Sequence, residues 1–227
     1  MELAPLAVAL LGLLALGQVW RRDQEAARRR RDRFLDDCRP LFERGVITRG
    51  ATAYPTLRGR HRGRVVTLLP FVEALMPRKL PSLWLAMRLN GPTGARGMFD
   101  VLMRPVGVEF YSPSAGLPHR IDPPPGWPEG AVVKCDDPDA LPGGPALEAI
   151  GALLRDPRLK EVLVTPGFLR LVWQADEGDR GGYLLFRQAR FAADHLDPGR
   201  LEGWLGRLHA LDEALRPEVP EQRALRA

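Results

Sequence analysis

Lysine is almost missing from this 227-residue chain: Lys79, Lys134 and Lys160 are the only three among 33 basic residues, so its positive charge is nearly all arginine. Cysteine is scarce as well. Cys38 and Cys135 are too few for a disulfide framework and show no Cys-x-x-Cys spacing, which excludes a disulfide-stapled scaffold and a zinc ribbon. Both are expected as free thiols, and Cys135 makes a poor nucleophile because Asp136 and Asp137 follow it and disfavour a thiolate. There is no His-Glu-x-x-His, no glycine-rich loop ending in Lys-Ser or Lys-Thr, and no Gly-x-Gly-x-x-Gly behind a strand. The nearest approach to a nucleophile elbow, Ser112 to Gly116, lacks its first glycine. The four histidines, His61, His119, His195 and His209, include no pair three or four residues apart that would put two imidazoles on one helix face. His61 reads as part of a basic loop, Arg58 to Arg64, and His209 as a partly exposed residue of the last helix. Neither a cofactor nor a metal is expected from these patterns.

What is present is an ordinary globular composition, 45% hydrophobic and 27% charged, with 23 glycines and 22 prolines. That excludes a disordered tail and a polytopic membrane protein, and calls for many turns. The formal charge of +5 would raise nucleic acid as a partner, but the charge is local. Seven arginines (Arg21, Arg22, Arg28, Arg29, Arg30, Arg31 and Arg33) stand against Asp23, Glu25 and Asp32, leaving 26 basic and 25 acidic residues elsewhere. No aromatic residues are interleaved with these arginines to stack on bases, so nucleic acid is not expected.

The stretch before the cluster supplies the reason for it. Leu3 to Trp20 is eighteen residues without a charge and with Gln18 as its one polar side chain. As a helix it would run roughly 27 Å, near a bilayer's hydrocarbon thickness, and it lacks the basic leader and small-residue cleavage site of a signal peptide. Residues 1–20 are therefore expected to be a transmembrane anchor, 21–44 a basic juxtamembrane helix, 45–216 a cytoplasmic α+β domain and 217–227 a flexible tail. The positive-inside rule orients this single pass in an inner membrane, amino terminus outside and domain in the cytoplasm. The expected partners are the bilayer through residues 3–20, anionic lipid headgroups at the arginines, and a membrane protein. Glu25 with Arg29 and Arg33 with Asp37 support continuation of the helix to Pro40 or Gly45, with Leu35, Leu41 and Phe42 docking its end.

Beyond Tyr54, strands are expected at Arg64 to Leu69, Ser82 to Leu89 and Met98 to Met103, the last two joined as a hairpin through Asn90 to Gly94. Tyr111 to Gly130 holds six prolines and reads as a surface loop, followed by a short strand at Ala131 to Cys135. A helix at Ala146 to Leu154 precedes strands at Lys160 to Thr165, Phe168 to Gln174 and Tyr183 to Gln188. The last helix opens on Asp197 and Pro198 and carries the stripe Leu201, Trp204, Leu205, Leu208, Leu211 and Leu215. A mainly antiparallel sheet with helices on one face follows, arranged as two α-β-β-β units plus a C-terminal helix.

The acidic turn Asp176, Glu177, Asp179 and Arg180 reads as a solvated hairpin tip, since it lacks the ligand spacing of a calcium loop. Arg88, Arg104, Arg170, Arg187 and Arg190 lie on or beside strands and are the candidate contacts for an anionic or lipid ligand, if they converge. A membrane-anchored, non-catalytic binding module is the function expected, with a partner docking on apolar residues such as Trp84 or Trp127. The rivals are a tethered enzyme acting on an anionic substrate and a carrier whose last helix closes over a concave sheet.

Overall fold

The computed structural model describes residues 3–50, 53–74, 80–107, 109–181, 183 and 189–216, with the side chains of the first helix described from Leu10 onward. Nine strands form one wholly antiparallel sheet: β1 (Glu43–Thr48), β2 (Thr56–His61), β3 (Arg64–Glu73), β4 (Ser82–Asn90), β5 (Phe99–Met103), β6 (His119–Ile121), β7 (Ala131–Cys135), β8 (Leu159–Thr165) and β9 (Phe168–Glu177). Their order across the sheet is β1-β2-β3-β4-β9-β8-β5-β7-β6. Among the described residues three long helices accompany them: α1 (Leu3–Arg33), α2 (Gly144–Leu154) and α3 (Pro198–Leu215).

This order corrects two expectations. β4 and β5 are not a hairpin; β4 pairs with β3 and β9, and β5 with β7 and β8. The β8–β9 hairpin is inserted between them. The Asn90–Gly94 turn chemistry is real, but the chain there crosses the tip of that hairpin, where Gly91 N donates to Gly167 O (2.9 Å) and Thr93 Oγ1 to Thr165 O (2.6 Å). Nor does an α-β-β-β unit repeat, because the first half contributes β1 and β2 ahead of the expected strands. In β2, Leu57, Gly59 and His61 point inward and Arg58 and Arg60 outward. Only one of the three inward residues is plainly apolar, which hides the strand. Gly59 is required there, since a Cβ would sit 2.6 Å from that of Phe42. The strand expected at Tyr183 to Gln188 lies, apart from Tyr183, outside the described residues, as does the tail 217–227.

α2 and α3 cover one face of the sheet. α3 is started by Asp197, whose carboxylate accepts from Arg200 N (2.6 Å) with Pro198 behind it, and its whole stripe is buried. Trp204 stacks on Trp173 of β9, rings 5.5 Å apart and nearly parallel. The opposite face is covered by the segment that leaves β5 at Arg104 and returns to β6, a strap containing a short 3-10 turn at Pro113–Gly116. Trp127 of the proline-rich stretch rests on α2, where a Cβ at Gly151 would meet its Nε1 at 2.8 Å.

α1 ends at Arg33, earlier than expected, and passes into a 3-10 turn at Asp36–Leu41. The Glu25–Arg29 pair forms (3.6 Å), whereas Arg33 Nε turns back to Arg29 O instead of meeting Asp37. Phe34, Leu35 and Cys38 enter the core, and Phe34 O accepts from Leu196 N (2.9 Å). Among the described residues no helix is long and apolar enough to cross a membrane. The spanning helix expected over residues 3–20 is therefore not found among the described residues.

Leu35 joins helix, turn and sheet. Leu35→Ala is expected to cost about 2–5 kcal/mol, against at most about 0.5 kcal/mol for the exposed Leu69→Ala, in chemical denaturation followed by tryptophan fluorescence. Equal costs would refute the docked seam.

Candidate functional site

The candidate arginines receive protein partners in the fold. Arg88 and Arg170 stand directly opposite each other on β4 and β9. Arg88 lies 3.8 Å over the Phe168 ring, while Arg170 binds Glu161 Oε2 (2.8 Å) and Tyr111 O (3.0 Å). Arg104 is elsewhere, at the end of β5, in the left-handed region (φ 46°), and its guanidinium caps Pro157 O (2.7 Å) and Leu159 O (3.3 Å). Arg190 pairs with Asp23 of α1 (3.1 Å), and Arg187 lies outside the described residues.

Beneath the strap is a cluster that the sequence reading passed over. Asp100 of β5 and Lys160 and Glu161 of β8 are buried in the sheet, and the strap brings Glu109, Tyr111, Ser112 and Ser114 over them. Lys160 Nζ reaches Glu109 Oε1 (2.7 Å) and donates to Arg104 O (3.1 Å); Ser112 Oγ donates to Asp100 Oδ2 (3.3 Å) and Lys134 Nζ to Ser114 O (2.9 Å). A crevice of about 300 Å3, lined by Glu73, Trp84, Arg104, Glu109, Lys160 and Gln174 among others, opens beside the Lys160–Glu109 pair. The available signal was charge inside apolar strand text, Lys160-Glu161 within LKEVLVT and Asp100 within FDVLM. A charge flanked by apolar residues on a central strand must find a partner from another element.

Burial first, then repulsion by Glu161, pushes Asp100 up to about 7, against hydrogen bonds from Ser114 and Ser112 and the charge of Arg170. Glu161 is also raised, chiefly by burial, with Arg170 opposing. Glu109 goes the other way: burial raises it, but the hydrogen bond and charge of Lys160 and the Val106 amide outweigh that. Asp100 can therefore carry a proton near neutrality while Glu109 stays ionised on Lys160.

Two expectations for the histidines are corrected. His61 is on β2, not in a loop, and His209 is buried rather than partly exposed; His61 Nδ1 and His209 Nε2 are 2.9 Å apart across 148 residues of sequence. Desolvation is the main cause that lowers both pKa values, so one neutral ring donates to the other. Beside them Asp212 pairs with Arg64 (3.0 Å) and Arg216 (2.8 Å). Among the described residues no group of three or more side chains could hold a metal ion. Both thiols are buried and free, and burial pushes Cys38 up to about 12. Nor do Trp84 and Trp127 form an exposed patch: Trp84 is buried with Nε1 on Glu73 (2.8 Å), and Trp127 is half-buried. Among the described residues the exposed large apolar side chains of the domain are Val46, Leu69 and Phe110.

The other candidate region is α1. Leu10, Leu11, Leu13, Leu14, Leu16, Val19 and Trp20 are each 58–67% exposed. At 3.6 residues per turn they point all round the axis. Below them the arginine flank is laced by loose ion pairs, Arg28–Asp32 (3.6 Å), Arg29–Glu25 (3.6 Å) and Arg30–Asp194 (3.9 Å).

No known family matches the chain, and no curated protein matches it. Among solved structures it is similar to the crystal structure of the mycobacterial trehalose monomycolate transport factor A, TtfA, at a TM-score of 0.39 and 11% identity, over 76% of this chain and 79% of that one. Likeness at that level carries no functional argument.

Two pH slopes of opposite sign follow. Asp100, raised in the folded state, contributes stability that is present at acid pH and lost as pH rises from about 4 through about 7, on the order of 2–4 kcal/mol. Asp100→Asn is expected to remove that loss in urea titrations at pH 5 and pH 8; an unchanged difference would refute the assignment. The histidines, lowered in the folded state, cost stability as pH falls below 6.5. The double variant His61→Gln with His209→Gln is expected to flatten the acid side relative to wild type, and an identical slope would count against the buried pair.

Proposed function

We propose that this chain is a single-pass membrane protein whose α+β domain is held at the bilayer surface and works there by binding, without catalysis. The observation that carries this reading is the ring of exposed apolar side chains from Leu10 to Trp20 on α1. Seven such side chains left in water forgo on the order of 10 kcal/mol of burial, and no other part of the described chain covers them. The sequence extends the uncharged run back to Leu3, which makes it long enough to span. Trp20 then sits at the headgroup level, and the arginines from Arg21 to Arg33 stay on the cytoplasmic side of an inner membrane, with the amino terminus outside.

The docking of Phe34, Leu35 and Cys38 into the core supports a domain fixed to its anchor rather than swinging on a linker. Binding is favoured over catalysis because the buried titratable groups are committed to each other: Lys160 to Glu109, Arg170 to Glu161, His61 to His209. The carrier reading is less well supported, since the α3 stripe lies directly on the sheet with Trp204 against Trp173.

The full chain is expected to pellet with membranes and resist alkaline carbonate, and a chain lacking residues 1–20 to be released. A carboxyl-terminal alkaline phosphatase fusion is expected to be inactive. Carbonate release of the full chain would overturn the anchor, and an active fusion would overturn the orientation.

A further inference from the structure

Just below Trp20, α1 and the segment 189–194 enclose a crevice of about 450 Å3, within the size range of ligand sites. Part of its lining is apolar: Ala26 and Ala27 of α1, Phe191, and Phe34, which is held edge-to-face on Tyr54 (5.3 Å). Another part is charged. Arg30, Arg31 and Arg190 line it against the carboxylates of Asp23 and Asp194, an excess of one positive charge within a flank that is itself strongly basic.

The carboxylates hold two of these cations weakly. Arg190–Asp23 (3.1 Å) and Arg30–Asp194 (3.9 Å) have side chains more than half exposed, the class of ion pair that contributes little and exchanges readily for a better anion. A phosphate accepts bidentate hydrogen bonds from guanidinium groups and carries its charge on several oxygens, so it competes well for both.

Position selects the kind of phosphate compound. Asp23 is three residues, about 5 Å, below Trp20 along the helix, and the headgroup layer is about 5–8 Å deep, so the mouth of the crevice opens into that layer. Resting on the reading of α1 as a membrane anchor, we propose that this crevice binds one anionic phospholipid of the surrounding leaflet. Its phosphate takes the place of the carboxylates on Arg190 and Arg30, and its glycerol-ester portion lies on Ala26, Ala27 and Phe191. The site tethers the 189–194 segment to α1 through the lipid and couples the seating of the domain to the charge of the membrane. A soluble phosphate would use the arginines but not the apolar wall.

The test uses the full chain, solubilised in mild detergent, offered equal amounts of phosphatidylglycerol and phosphatidylcholine and examined by native mass spectrometry. One phosphatidylglycerol per chain is expected to be retained, at least tenfold in preference to phosphatidylcholine. Arg30→Gln with Arg190→Gln, both on exposed side chains, is expected to reduce retention at least fivefold with unchanged thermal melting, and Ala27→Trp to do the same by filling the space. No retained lipid, equal retention of the two lipids, or retention indifferent to the variants would overturn the site. So would displacement of the lipid by millimolar glycerol phosphate, which would mark a free-phosphate site. Carbonate extraction of the same proteins separates the two readings. Membrane-resident wild type without bound lipid refutes the site alone, whereas wild type that washes off refutes the anchor and the site with it.

Discussion

The structure depends on the placing of the β8–β9 hairpin between β4 and β5. That insertion makes one continuous nine-stranded sheet from segments that would otherwise be two smaller ones, and it moves β8 and β9 to the centre. The bridge is held at its tip by the chain between β4 and β5, through Gly91 and Thr93, and along its length by Trp173, which gives α3 a flat surface to pack on through Trp204. Every residue of β8 is buried. A central strand has a second face, and that face needed a cover.

The cover is the strap, and its chemistry follows from the charges on β8. Glu161 and Lys160 could not be left bare in the interior, where an unpaired charge costs several kcal/mol. Arg170 answers the first from the neighbouring strand and Glu109 answers the second from the strap. Such pairs contribute little net stability relative to apolar packing, but they permit few alternatives, so they set where the strap can lie. Arg104, in its left-handed conformation at the strap's origin, ties the same region to Pro157 and Leu159. The site with the most unusual ionisation is thus a consequence of topology.

At the other end of the molecule the same core receives α1. Phe34, Leu35 and Cys38 belong to one hydrophobic cluster with the residues of α2, α3 and the sheet, so the exposed apolar segment above the arginines is continuous with the folded domain. Under the anchor proposed above, this rod of exposed leucines lies in lipid, and the arginine flank lies at the boundary where lipid phosphate is dense.

Much of the secondary structure was legible because it is local: the Asp197-Pro198 start of α3, its leucine stripe, α2, and the apolar strands β3, β4, β8 and β9. β1 and β2 were not, because Gly59 and His61 occupy inward positions where an apolar side chain would have revealed the period. The site was illegible for a different reason. Asp100 meets Ser112 across the strap, Arg170 meets Tyr111 across 59 residues, and His61 meets His209 across 148. By itself the sequence determined the uncharged run with its arginine border and the capped, striped helices, since solvation and backbone hydrogen bonding act over a few neighbouring residues. Only the tertiary structure decided which strands became neighbours, which charges were buried together and which histidines touched, because those choices rest on contacts between segments far apart in the chain.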